Sequence, residues 1–281
     1  MDDLKNELSD SGMKESNEEP AGGKGIPAVG IILSAVIIAV IAYFYLTPKG
    51  NDSDEWMKKA GAFISQKQFQ EAINAYSLAI EKNPKSATAY LGRGTAYGEL
   101  GKHDDALKDM NRAIEISPSA EAYVNRGIAL AKTGNNEGAI KDFNKAIESN
   151  PSLAYAYSAR GLSHFIMGNI DNSINDYKKA VELNPNDKLV YSMLGASYLK
   201  NKNIAESVKN LEKALEITPN DSLIMYNLAC AYSVDGKVEK ACEYLKASVD
   251  NGYKEFNNIK TDNDMANVRE HKCYKDLMAN K

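Results

Sequence analysis

Residues 154–185 read AYAYSARGLSHFIMGNIDNSINDYKKAVELNP, and the proline that closes this stretch is one of a series. Prolines recur at Pro84, Pro118, Pro151, Pro185 and Pro219, at spacings of 34, 33, 34 and 34 residues. A fixed period of this length marks an array of stacked structural units. With each proline set as position 32, six units begin near Ser53, Ala87, Ala120, Ala154, Lys188 and Ser222.

Small residues keep to this register. Position 8 holds Ala60, Gly94, Gly127, Gly161, Gly195 and Ala229, and position 20 holds Ala72, Ala106, Ala139, Ser173, Ser207 and Ala241. Position 27 repeats Ala79, Ala113, Ala146, Ala180 and Ala214, with Ser248 last. Bulky residues fill position 4 (Trp56, Tyr90, Tyr123, Tyr157, Tyr191, Met225) and position 24 (Tyr76, Met110, Phe143, Tyr177, Leu211, Leu245).

This pattern resembles the tetratricopeptide repeat (TPR) family over residues 53–254. The resemblance implies an all-α, right-handed TPR superhelix of about six helix-turn-helix units. Small residues would let the two helices of a unit cross closely, with bulky knobs packed beside them. Gly101, Gly134, Gly168 and Gly236 would make the turns, and each proline would end a second helix. The sixth unit departs from the pattern, with Tyr253 in the proline's place. Residues 255–281 are expected to form C-terminal capping helices, with Met265, Val268, Tyr274, Leu277 and Met278 facing inward.

Ahead of the array, residues 26–46 run without a charge, and twelve of these 21 are Ile, Val, Leu or Phe. At about 1.5 Å rise per residue they reach across a hydrocarbon core of about 30 Å, so a single transmembrane helix is expected. A cleaved signal peptide is disfavoured by the length of the run, the net acidic tail before it and the lack of a small-residue cleavage site. Residues 1–25 read as a disordered acidic tail and 47–52 as a linker. Lys5, Lys14 and Lys24 before the span are balanced by Lys49, Lys58 and Lys59 after it. The repeat domain is nonetheless expected outside the cytoplasm, because a short tail ahead of an uncleaved first helix usually stays inside.

The formal net charge is −4, from 34 basic and 38 acidic residues mixed along the chain, which provides no basic face for nucleic acid. Cys230, Cys242 and Cys273 lack paired CxxC spacing and read as small packing residues, with a Cys230–Cys242 bridge tolerable in an oxidising compartment. His103, His164 and His271 stand at unrelated repeat positions. No catalytic set, metal site or cofactor follows, and the chain is not expected to be an enzyme.

Arg93, Arg126 and Arg160 stand at position 7, and the same three repeats carry Asp109, Asp142 and Asp176 at position 23. The fifth and sixth repeats have Leu194 and Leu228 at position 7, with Asn210 and Tyr244 at position 23. The coincidence favours arginine–aspartate pairing within each repeat over a basic ligand ladder.

By the family resemblance, the first helices line a concave groove, at positions 2, 5, 6, 9, 12 and 13. Family members that hold EEVD chaperone tails place lysine and asparagine at positions 5 and 9 of one repeat. Here those positions read Met57/Gly61, Leu91/Thr95, Val124/Ile128, Ser158/Leu162, Ser192/Ala196 and Tyr226/Cys230, which do not fit. In repeats four and five the groove positions include Tyr155, Ser158, Leu162, Phe165, Ile166, Leu189, Met193 and Leu199. Val124, Asn125 and Ile128 flank them on one side, and Tyr226 and Asn227 on the other. This nearly uncharged floor is expected to bind an apolar segment of another protein or peptide. The alternative is that the C-terminal helices or the linker fold back into it. The chain thus reads as a membrane-anchored interaction scaffold in envelope assembly or quality control, or else as an import receptor facing the cytosol.

Overall fold

A computed structural model describes residues 53–279. The acidic tail, the 26–46 span and the linker expected from the sequence lie outside the described residues. Among the described residues no helix is long and apolar enough to cross a membrane.

Six antiparallel helix pairs follow one another, and no strand occurs among the described residues. They are α1 (Ser53–Ser65) with α2 (Phe69–Lys82), α3 (Ala87–Glu99) with α4 (His103–Ile116), and α5 (Ala120–Lys132) with α6 (Asn136–Ser149). The next three are α7 (Ala154–Ile166) with α8 (Ile170–Leu183), α9 (Lys188–Lys200) with α10 (Ile204–Ile217), and α11 (Ser222–Val234) with α12 (Val238–Asp250). Each helix packs on its partner and on the next pair, so the core is a continuous seam along the array.

Local chemistry explains the boundaries. Ser86, Ser119, Asp187 and Asp221 cap α3, α5, α9 and α11, accepting hydrogen bonds from first-turn amides. The second helices of the first five repeats each end two residues before the proline, whose ring disfavours helical geometry in the residue ahead of it. Position 15 takes a positive φ in every repeat, at Gly101, Gly134, Gly168 and Gly236 but also at Lys67 (57°) and Lys202 (60°). Lysine thus adopts the left-handed turn twice, although its Cβ disfavours it.

The small residues at position 8 are required by close approach. A Cβ on Gly127 would stand 2.6 Å from the Phe143 ring, and one on Gly195 would stand 2.6 Å from Leu211. Ala72, Ala79, Ala106, Ala139, Ala180 and Ala214 are buried beside them.

After the sixth repeat come α13 (Phe256–Thr261), a 3₁₀ turn (Asn263–Val268) and α14 (Lys272–Met278). Helix α13 lies within the 255–281 stretch expected to be helical; its buried Ile259, absent from the inward residues expected there, packs with Met265, Val268 and Tyr274 against α11 and α12. Leu277 and Met278 are partly buried against the same cluster. The cysteine reading is corrected here. Cys242 on α12 is joined to Cys273 on α14 as a disulfide, and Cys230 is the free, buried thiol. Cys230 and Cys242 lie on the two helices of one pair, whereas the cap brings Cys273 within a Cα separation of 6.0 Å from Cys242, inside the usual bridging range.

Candidate functional site: an apolar cleft on the concave face

The position-7 arginines are used up in structure. Arg93 donates to Asp109 through Nε (2.7 Å) and Nη2 (2.8 Å), Arg126 to Asp142 at 2.7 Å twice, and Arg160 to Asp176 at 2.9 and 2.6 Å. The remaining Nη1 of each reaches back to position 25 of the preceding repeat, at Ser77 (3.0 Å), Asn111 (2.7 Å) and Asn144 (2.6 Å). Each guanidinium also lies 5.6–5.8 Å from the ring of its own position-4 tyrosine, Tyr90, Tyr123 or Tyr157. Hydrogen bonding to the aspartate holds all three arginine pKa values above their usual level. One fork therefore ties two helices and two repeats together. The position-25 contact escaped sequence reasoning because that position changes from Ser77 to Asn111 and Asn144, and small polar residues carry no pairing signal of their own.

The concave face of repeats three to five carries an open cleft of about 370 Å³. Its walls come from α5, α7 and α9, with Tyr155 in the first turn of α7 and Leu189 in the first turn of α9, which Asp187 caps. Tyr155, Ile166, Leu189 and Leu162 are large apolar side chains 58, 60, 60 and 41% exposed, which a folded chain otherwise buries. Ile128, Met193 and Ser158 are partly buried in the walls. Phe143, Tyr177 and Val190 form its floor; Phe143 and Tyr177 stand at position 24, which the sequence marks for packing, and Val190 carries no signal of its own. Lys132 and Asp187 stand at the edge, Lys132 3.6 Å from Glu99 and Asp187 capping α9.

The other predicted groove residues are not gathered there. Asn125 and Val124 edge a separate shallow hollow beside Tyr155. Val124 is buried against Ala139 and Phe143, because position 5 of that helix turns toward its partner helix rather than into the groove. Phe165, Leu199 and Asn227 line a second hollow, shared with Cys230, Asp262 and Asp264 from the cap. Tyr226 is 3% exposed and is a correction: it does not offer a binding surface. Its ring stacks on Tyr253 at 4.5 Å and its hydroxyl donates to Asp262 Oδ2 at 2.7 Å. The C-terminal segment thus covers the sixth repeat's share of the groove and leaves the cleft of repeats three to five open.

Two titratable groups under the cap are strongly shifted. Burial pushes the Tyr226 and Cys230 pKa values well above their ordinary range, with Asp262 adding to both, so the Cys230 thiol stays protonated. Cys242, His271 and Cys273 bring possible metal-ligating atoms within 4.8 Å of one another, but the disulfide consumes both sulfurs.

Comparison with known proteins agrees with this architecture. A TPR-repeat model matches residues 61–101, and tetratricopeptide-repeat models match 93–154, 154–187, 189–221 and 210–243. Among curated proteins, the chain is 37% identical over 75 residues to Hsp70-Hsp90 organizing protein 1 of Glycine max, covering 27% of this chain and 13% of that protein. It is 40% identical over 55 residues to small glutamine-rich tetratricopeptide repeat-containing protein 2 of Mycosarcoma maydis, covering 20% of this chain and 16% of that one. The chain therefore spans a small fraction of the length of these relatives. Among solved structures, MamA matches with a TM-score of 0.52 and 28% identity over 59% of this chain and 91% of its own. YrrB, a TPR protein with an unusual peptide-binding site, shares the fold, with a TM-score of 0.52 and 21% identity over 65% of this chain and 95% of its own. With the repeat register, the helix pairs and these matches in agreement, the chain belongs to the tetratricopeptide-repeat family and presents a protein-interaction scaffold.

Proposed function

We propose that the protein is a membrane-anchored scaffold that captures a partner protein or peptide in the cleft of repeats three to five and catalyses no reaction. The observation that carries this reading is the cluster of Tyr155, Leu162, Ile166 and Leu189, exposed together on one face. Its walls suit the apolar stripe of an amphipathic helix or an extended apolar segment. The 26–46 segment supplies the anchor, and the Cys242–Cys273 disulfide favours placing the repeat domain on the oxidising, extracytoplasmic side. That argument weighs against an import receptor facing the cytosol. A role in assembling or surveying envelope complexes follows from such a position.

Photo-crosslinking in membranes tests the capture. A crosslinker installed at Leu189 should yield a discrete adduct that one at Lys108, exposed on α4, does not. The adduct should fall at least tenfold in Leu162→Ala/Ile166→Ala, which removes two exposed side chains and leaves the core intact. Equal adducts from both positions would refute the groove. Protease added to intact spheroplasts should digest the repeat domain, and protection of a domain that is cleaved after lysis would reverse the orientation.

A further inference from the structure

One group on the cleft's floor is unaccounted for by packing. Tyr177 is 1% exposed and lines the cleft, yet its hydroxyl has no hydrogen-bond partner among the described residues. A buried polar atom left in this state is unfavourable. Packing does not demand it, because Phe143 occupies the same position 24 one repeat earlier and is just as buried without a hydroxyl. The repeat register points to the residue that lies over the group. In the first repeat, the Tyr76 hydroxyl lies 2.7 Å from where a Cβ on Gly92, position 6 of the next repeat, would stand. The residue at that place above Tyr177 is Met193, partly buried, packed on the same cluster and lining the same cleft. Methionine is unbranched and easily changes rotamer. A side chain entering the cleft can displace it and meet the hydroxyl.

Resting on the groove reading above, we propose that this cleft is a pocket for one aromatic side chain bearing a hydrogen-bonding group, a tyrosine or tryptophan of the partner segment, whose polar atom pairs with the Tyr177 hydroxyl. At about 370 Å³ the cleft has room for a single large ring of such a segment, the rest of whose apolar face lies along the walls. Apolar walls from Ile128 and Leu162 and the Val190 floor receive the ring, and the exposed Tyr155 ring stands at the rim for an aromatic contact. A purely aliphatic anchor would leave the hydroxyl unpaired. An aromatic anchor with a polar atom satisfies both the walls and the floor, which is how a hydrogen-bonding pocket discriminates.

The test uses the full chain in bilayer discs, with methionine methyl groups labelled for NMR, and three capped amino acids as probes: N-acetyl-tyrosinamide, N-acetyl-tryptophanamide and N-acetyl-phenylalaninamide. The tyrosine and tryptophan probes should shift the Met193 methyl signal with dissociation constants about five- to tenfold below that of the phenylalanine probe. In Tyr177→Phe this preference should vanish while the thermal midpoint stays the same or rises, since only an unpaired hydroxyl is removed. A phenylalanine probe that binds as tightly as the others, or a preference that survives Tyr177→Phe, overturns the proposal. So does the absence of any shift at Met193. Crosslinking from Leu189 reads the groove without reference to Tyr177, so the two readings fail separately.

Discussion

In repeats two to four the paired helices are joined by an arginine–aspartate fork, whereas in repeats five and six leucine stands at position 7 and the seam is apolar. Leu194 and Leu228 are buried where Arg93, Arg126 and Arg160 reach their carboxylates. The partners change in concert. Asn210 turns its amide back to the Glu206 carbonyl at 2.7 Å, and Tyr244 stacks on Tyr232 at 5.5 Å, whose hydroxyl donates to Glu212 at 3.0 Å. The same register therefore accepts a charged or an apolar seam, provided both ends of the contact change together. The polar seam adds a link between repeats through position 25. The apolar end is closed instead by the cap, through Tyr253, Asp262 and the disulfide.

The comparison is most strongly broken at the cap. Cys242→Ser opens a crosslink spanning a sequence separation of 31, and the chain-entropy model puts the loss at about 3–4 kcal/mol. Chemical denaturation should show that loss, matched by adding a reductant to the unsubstituted protein, and hydrogen exchange should locate it in α11 to α14. An unchanged midpoint under reduction would mean the cap is held by packing alone.

Next in size is the fork. Arg126→Ala leaves Asp142, whose side chain is 5% exposed, without its partner, and should cost about 2–3 kcal/mol. The same change made on an Asp142→Ala background should cost under about 1 kcal/mol, and additivity of the two would contradict the pairing. Arg126→Leu with Asp142→Asn, which copies the pair found in repeat five, should fall within about 1 kcal/mol of the parent.

A smaller effect sharpens the account of the sixth repeat. Tyr226→Phe keeps the stack on Tyr253 but removes the bond to Asp262, and should cost about 1.5 kcal/mol, confined to the cap. Asp262→Asn, which keeps an acceptor there, should cost less in the same denaturation assay. The smallest change is a gain. Lys202→Gly relieves a left-handed lysine at φ 60° and should stabilise the domain by about 1 kcal/mol, whereas Gly134→Lys should destabilise it by a similar amount.

The array was legible because its determinants are local and periodic. Prolines at a 34-residue spacing, small residues at positions 8, 20 and 27, and the covarying Arg/Asp pairs each recur in one register, so each repeat checks the others. The cap was legible only in outline. It occurs once, so no repetition revealed that Ile259 is buried, that Cys273 reaches Cys242 or that Asp262 seizes Tyr226.

The same division holds for the candidate site. Sequence alone determined which helix faces are apolar, since the period places positions 2, 5, 6, 9, 12 and 13 of every first helix by the same rotation. It did not determine which of those faces stay open, because exposure is a property of everything packed nearby. Only the tertiary structure decided that Val124 turns into its own repeat, that Tyr226 lies under the cap, and that Leu162, Ile166 and Leu189 remain uncovered. It alone decided as well that the Tyr177 hydroxyl ends without a partner among the described residues, since hydrogen-bond satisfaction depends on residues that the sequence sets far apart and the fold brings together.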